Sequence, residues 1–394
     1  MSVFEKIKAI DINPFFTSQK QGEKWLAQYN GIYFEITKNI ADLLFTIQKS
    51  NSLNEGIACF VVSKNNKYSI AEINAVLKKN IYPIFDAKSQ NSFLIKKDIL
   101  SADKLSFLSN YFKFLFKKPI FYVFFGTSIL INSIFYFIAY SKVTAGSFDI
   151  YTLLLLLLFF IFSSFFHELG HASATKYYDI GHGSVGFALY WNFPVFYTDV
   201  SKIWELPPKK RCIVNLGGVY FQSILLIPIL ILFFITQNEL LKYIIILTNI
   251  NMLITLNPFF KFDGYWLISD ICGVANLRKR LNEFLIYLVN KLRKKQVLRP
   301  YLLKLKNPQR SILLVYFVIS NIFMGFYFLY LLPKLLYAFF QEYPHRLEMF
   351  FMELSSGILP TFKDVQYLFV QTIFIVFIGY MIYLIFSKIR KKMT

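Results

Sequence analysis

Cysteine is scarce in this chain of 394 residues, and the three that occur, Cys59, Cys212 and Cys272, stand far apart. Scattered thiols support neither a disulfide framework nor a cysteine-based zinc knuckle. Histidine numbers only four, and acidic residues are few, 23 Asp and Glu against 43 Lys and Arg. The opening residues are polar and lack the apolar core of a cleavable signal peptide, so none is expected. No inverted repeat of the transporter kind is visible.

Apolar residues, by contrast, make up 56% of the chain, with 46 Phe and 26 Tyr. The mean hydropathy is +0.46. This load lies in long runs rather than alternating with polar residues, which excludes an ordinary soluble globule. Runs of about 20 apolar residues read as transmembrane helices. Six occur, near 119–140, 150–172, 212–236, 241–260, 311–339 and 365–386. The basic residues gather at their ends. Lys113, Lys117 and Lys118 precede the first run, and Lys202, Lys209, Lys210 and Arg211 precede the third. Arg278 to Arg310 follows the fourth, and Lys388, Arg390, Lys391 and Lys392 close the chain. The loops near 141–149, 237–240 and 340–364 are poor in Lys and Arg. The expected fold is therefore a polytopic α-helical membrane protein of about six spans, multi-pass in the cell membrane, with both termini cytoplasmic. Because the basic residues follow this topology, nucleic acid is not expected as a partner.

Residues 1–112 are mixed in character and read as a cytosolic α+β, winged-helix-like domain. Ile32 to Ile36 is β-prone, Thr37 is placed to cap a helix with a stripe at Ile40, Leu43, Leu44 and Ile47, and Ser69 to Glu72 has capping-box spacing. Residues 113–275 form the membrane core, 276–310 a basic cytosolic segment, and 311–394 a C-terminal pair of membrane helices.

The second run ends in His167-Glu168-Leu169-Gly170-His171. On a helix, two His four residues apart lie one above the other on nearly the same face. They can share one Zn²⁺, with the intervening Glu placed as general base toward a polarised water. At about 1.5 Å per residue this group sits roughly 24 Å along an apolar helix. Ionisable residues there are costly unless they face a cavity or a partner. Such a site needs a third ligand, and Asp179, His182, Asp199, Asp263 and Asp270 are available. Asp263 is preferred because Pro258 breaks the fourth run at the same depth, although Asp263-Gly264 also reads as a turn. Gly217 and Gly218 are placed to let helices pack closely near the site. Asn215 and Asn257 are either helix caps or donors to an oxyanion. The β-rich stretch 183–200 reads as a hairpin whose edge pairs with substrate, or as an aromatic loop at the interface.

The His-Glu-x-x-His helix, followed by Asn257-Pro258 and Asp263-Gly264, resembles the site-2 protease family of intramembrane zinc metalloproteases over roughly residues 119–275. Four residues separate the two later pairs, more than is usual in that family, and Asn215 to Gln222 stands where the family often has a Gly-Pro element. Phe193 to Val200 and Asp263 to Trp266 are similar to a bacterial sub-branch, the peptide zinc metalloproteases that accompany ribosomally made, modified peptides. The resemblance implies a metalloendopeptidase with His167, His171 and Asp263 as zinc ligands and Glu168 as catalytic base. It also implies a peptide or small protein substrate, and a peptide-modifying enzyme or exporter as further partner. The N-terminal module is similar in outline to PqqD-like domains, which hold a peptide leader as an added strand. Two other functions remain open: regulated cleavage of a membrane-anchored regulator of the anti-sigma type, and a non-proteolytic transporter or immunity protein with a structural metal.

Overall fold

The computed structural model describes residues 2–15, 24–30, 32–85, 95–138, 149–190, 193–274, 277–295, 298–305, 307–357, 359 and 361–393. The N-terminal unit begins with α1 (Val3–Lys8) and an antiparallel sheet, β1 (Asp11–Phe15), β2 (Lys24–Tyr29) and β3 (Ile32–Thr37), in that spatial order. Four helices follow: α2 (Lys38–Lys49), α3 (Leu53–Ser63), α4 (Ile70–Asn80) and α5 (Tyr82–Phe85). The stripe of α2 buries Leu43, Leu44 and Ile47 against Ile7, Ala27, Ile57, Leu77 and Ile81. The capping box at α4 is formed: the Glu72 amide donates to Ser69 Oγ at 3.2 Å and the Ser69 amide to Glu72 Oε2 at 2.9 Å. Thr37 occupies the N-cap position of α2 without a side-chain bond.

Among the described residues this core reaches as far as Phe85. The next elements, β4 (Ile95–Leu100) and α6 (Ala102–Phe112), join the membrane half instead. Leu105 and Phe112 pack with Leu169, Val214, Tyr220 and Phe221, and β4 pairs with a strand almost ninety residues later. The contacts of these two elements are therefore long-range in the chain.

The membrane half continues as α7 (Lys118–Ile138), α8 (Ile150–Tyr177), the hairpin β5 (Val185–Tyr190) and β6 (Phe193–Thr198), α9 (Pro208–Thr236), α10 (Glu239–Thr255) and α11 (Asp263–Cys272). Beyond these lie α12 (Leu277–Leu292), α13 (Tyr301–Lys304), α14 (Gln309–Phe326), a π turn at Tyr327–Leu331, α15 (Leu332–Ser355) and α16 (Phe362–Met393). Among the described residues, four helical stretches are long and apolar enough to cross a membrane: Lys118–Ile138, Tyr151–Tyr177, Pro208–Thr236 and Gln309–Ser355. The further runs expected at 241–260 and 365–386 fall on α10, which has 17 residues, and on α16. The loop expected at 340–364 is helical as far as Ser355, since no glycine interrupts the chain between Gly325 and Gly357. The loop expected at 141–149 lies, apart from Asp149, outside the described residues. α7 and α8 expose Tyr122, Val123, Leu130, Leu154, Leu157 and Leu158, as lipid-facing helices do.

The stretch 183–200 is a hairpin. β4, β5 and β6 form one antiparallel sheet in that order, leaving the outer side of β6 without a strand among the described residues. Pro194 lies in β6, where a missing N–H is tolerated only at an edge. Asp98, Gly186 and Tyr197 occupy one cross-strand row. A Cβ on Gly186 would stand 2.5 Å from Tyr197 Oη, so this glycine lets the phenol lie across β5 and donate to the Asp98 carboxylate.

Candidate metal centre

Asp149 caps α8 by accepting from the Thr152 amide at 3.0 Å, and the helix then runs apolar to Phe166. His167, Glu168 and His171 follow and are all buried. Their surroundings depend on how near α9 comes. A Cβ on Gly170 would lie 2.2 Å from Gly217 O, and one on Gly217 would lie 2.8 Å from Gly170 O. The two helices therefore touch backbone to backbone, which is the close packing expected of Gly217. Gly218 has a further part: its Cβ would sit 2.3 Å from His167 Nε2, so the imidazole occupies the space a side chain would fill.

Antiparallel packing then sets Val214, Gly218 and Gln222, spaced four apart on one face of α9, behind the histidines. His171 Nδ1 donates to Val214 O at 2.8 Å, and His167 Nδ1 donates to Gln222 Oε1 at 3.1 Å. Gln222 is fully buried and passes its own Nε2 proton to Ser163 Oγ at 3.1 Å. These acceptors assign the ring protons to Nδ1 and leave both Nε2 lone pairs free.

The third group arrives from α11. Asn257 Oδ1 accepts from the Phe259 amide at 2.8 Å, turning the chain after α10, and Asp263 is the first residue of α11. A Cβ on Gly264 would stand 1.9 Å from Leu256 O, so the glycine folds α11 back onto the end of α10. The Asp-Gly pair thus serves a close approach inside a helix rather than a turn. Asp263 Oδ2 lies 3.0 Å from His167 Nε2 and 3.3 Å from His171 Nε2, and the two Nε2 atoms are 3.1 Å apart.

These distances fit a tetrahedral cation site. Zinc bonds of about 2.0–2.1 Å give ligand-to-ligand edges of about 3.3 Å. Two imidazoles that present lone pairs to each other repel unless a cation or proton lies between them, and the carboxylate adds a negative charge at the same point. Among the described residues, His167, His171 and Asp263 are the one group of His, Cys, Asp and Glu close enough to share a metal. The Glu168 carboxylate makes no hydrogen bond or ion pair among the described residues, whereas its backbone oxygen accepts from Thr198 Oγ1 at 3.1 Å. That bond ties β6 to the turn of α8 that carries the His pair.

The other carboxylates and His182 are engaged elsewhere. Asp179 is at the end of α8 with a φ of 58°. Asp199 accepts from Ser201 Oγ at 2.6 Å. His182 Nδ1 donates to Gly183 O, and its Nε2 lies 2.9 Å from Ser109 Oγ. Burial pushes the His182 pKa down. Asp270, two turns beyond Asp263, is buried and accepts from Arg211 Nε at 2.6 Å and Asn215 Nδ2 at 2.8 Å. The side chain of Asn215 is therefore committed to Asp270, and Asn257 Oδ1 to its turn. From sequence, Arg211 reads only as a flanking cation and Gln222 only as part of the third run, and neither is given a part in the site. The signal for Gln222 was available: a strong polar residue in an apolar run, eight after Val214 and four after Gly218.

No family model matches this chain, and no solved structure matches it. Over 136 residues it is 27% identical to a Bacillus subtilis protein carrying the name "Putative peptide zinc metalloprotease protein YydH". That alignment covers 34% of this chain and 54% of the relative, so the chain spans about half the length of the curated protein it matches.

Proposed function

We propose that this chain is a membrane zinc endopeptidase that cleaves a ribosomally made peptide precursor near the cytoplasmic face of the bilayer. The observation that carries this reading is the convergence of two imidazole Nε2 atoms and one carboxylate oxygen within 3.3 Å, next to the buried Glu168, whose carboxylate has no hydrogen bond or ion pair among the described residues. The name of the Bacillus subtilis relative supports the same chemistry. In this reading six spans place both termini in the cytoplasm.

His167, His171 and Asp263 would hold the ion, with Gln222 and Val214 fixing the two rings. Zinc, when bound, supplies a Lewis acid for the scissile carbonyl and lowers the pKa of water toward about 7. Glu168 takes the proton of the attacking water and returns it to the leaving amine. The free edge of β6, anchored to α8 through Thr198, offers main-chain groups to an extended substrate beside Glu168. The edge strand β3 of the N-terminal unit is suited in the same way to a leader segment.

The test measures zinc content and cleavage on purified parent and Glu168→Gln, with the precursor peptide encoded beside the gene as substrate. The expected result is about one zinc in both and cleavage by the parent alone. Cleavage or biological activity that survives in Glu168→Gln would overturn the protease reading in favour of a structural or sensing metal.

A further inference from the structure

The basic segment after α11 is more than a charged loop. α12 has one apolar side packed into the molecule and a second one left bare. Leu277, Leu281 and Phe284 enter a core shared with Tyr265 of α11 and with Leu313 and Phe317 of α14. Next to them Leu285, Val289 and Leu292, spaced four and three apart, form an exposed stripe joined by Ile286. Leu292 is 84% exposed and Ile286 60%.

Position decides what this stripe meets. Phe284 packs edge-on against Phe317 with centroids 4.9 Å apart. Leu313 and Phe317 lie about 6 and 12 Å from the start of α14 at about 1.5 Å per residue. α14 opens one of the four stretches apolar enough to cross a membrane, and Arg310 is in its first turn. α12 is thus held beside the entry of that helix, at the depth of the headgroups and the first acyl carbons. Its cations fall into two sets. Arg278 and Arg280 are used internally: Arg278 donates to Phe259 O at 3.0 Å, and Arg280 stacks on Tyr301 at 4.4 Å. Lys279, Lys291, Arg293, Lys294 and Lys295 are exposed, and their side chains make no hydrogen bond or ion pair among the described residues.

We propose that α12 is an interfacial helix that binds anionic phospholipid headgroups through Lys279, Lys291, Arg293, Lys294 and Lys295 while Leu285, Ile286, Val289 and Leu292 enter the acyl boundary. An apolar stripe flanked by unpaired cations is more complementary to an anionic bilayer surface than to a neutral one, because the charges add to the apolar burial. The inference rests on the membrane placement of α14 and is independent of the metal.

The experiment uses the full chain in nanodiscs of phosphatidylcholine alone, or of phosphatidylcholine with phosphatidylglycerol. A bimane label is placed at Leu292→Cys in a Cys59→Ser background, with the unsubstituted background as the labelling control, and shallow doxyl lipids serve as quencher. The label is expected to be quenched, and more strongly in discs containing phosphatidylglycerol. Changing the five exposed cations to Gln is expected to abolish that increment while zinc content stays at the parent level. A label unquenched in both discs places the stripe against water or another protein chain and overturns the proposal. Equal quenching in both discs, or an increment that persists in the Gln variant, overturns headgroup recognition.

Discussion

Replacing Gln222 with Leu removes the acceptor behind His167 and leaves its Nδ1–H facing an apolar wall. Loss of such an outer partner typically lowers metal affinity about 10–100-fold. Competition with a chromophoric chelator should show that loss for Gln222→Leu, and a smaller one for Gln222→Asn. Gly218→Ala should be harsher, since its Cβ would overlap the His167 ring. Chelator titration is expected to find little bound zinc in a chain that still extracts and purifies as the parent does. The sequence pointed to the two imidazoles as candidates at this scale because imidazole spacing on a helix is a local property. It did not disclose their partners. Gln222 is 55 residues from His167 in the chain, and that pairing exists only once two glycine faces have brought α8 and α9 together.

Between elements, a buried ion pair and a phenol do the joining. Arg211 and Asn215 of α9 hold Asp270 of α11, which keeps the helix that begins with Asp263 against the helix behind the histidines. Arg211→Met alone leaves a buried carboxylate without its counter-charge and should cost about 3–5 kcal/mol, read as a fall in the thermal unfolding midpoint in detergent. The double change Arg211→Met, Asp270→Leu should recover most of it. In the sheet, the Tyr197 hydroxyl and then Ser184 hold the Asp98 carboxyl below its ordinary range. A lowered pKa means that this tie is complete above the unfolded value of about 3.9 and is lost as pH falls through the folded one. Asp98→Asn should therefore be less stable than the parent at neutral pH, and the difference should vanish on strong acidification. β5 and β6 were readable from their alternating β-formers. β4 was not, because its partners lie almost ninety residues away and its own residues are mostly exposed Lys, Asp and Ile.

For the molecule as a whole, hydropathy gave the membrane character and the positions of the long helices, yet a window average marks neither where a helix bends nor where it stops. Gln309–Ser355 runs helical through a π turn and past Pro344. Among the described residues the N-terminal core reaches as far as Phe85, and Leu100 of β4 with Leu105 and Phe112 of α6 packs against α8 and α9. Removing residues 1–85 is accordingly expected to leave zinc content near one per chain. If the edge of β3 holds a leader, the same truncation should slow cleavage of a leader-bearing precursor while sparing a leaderless one. Reporter fusions at the two ends should both report the cytoplasm if six helices cross.

α9 contributes no ligand, yet it chooses a carboxamide and a backbone carbonyl, both uncharged, to stand behind the rings. In the proposed zinc form, two neutral imidazoles and one carboxylate would balance only half the charge of a divalent ion. The uncharged backing leaves the other half unspent in a medium where water screens poorly. That residual positive charge is what a developing oxyanion would feel. Gln222→Glu would neutralise it, so this variant should hold zinc more tightly than the parent while turning over more slowly. In the proposed zinc form, grip and reactivity would thus be set against each other at a position outside the ligand set.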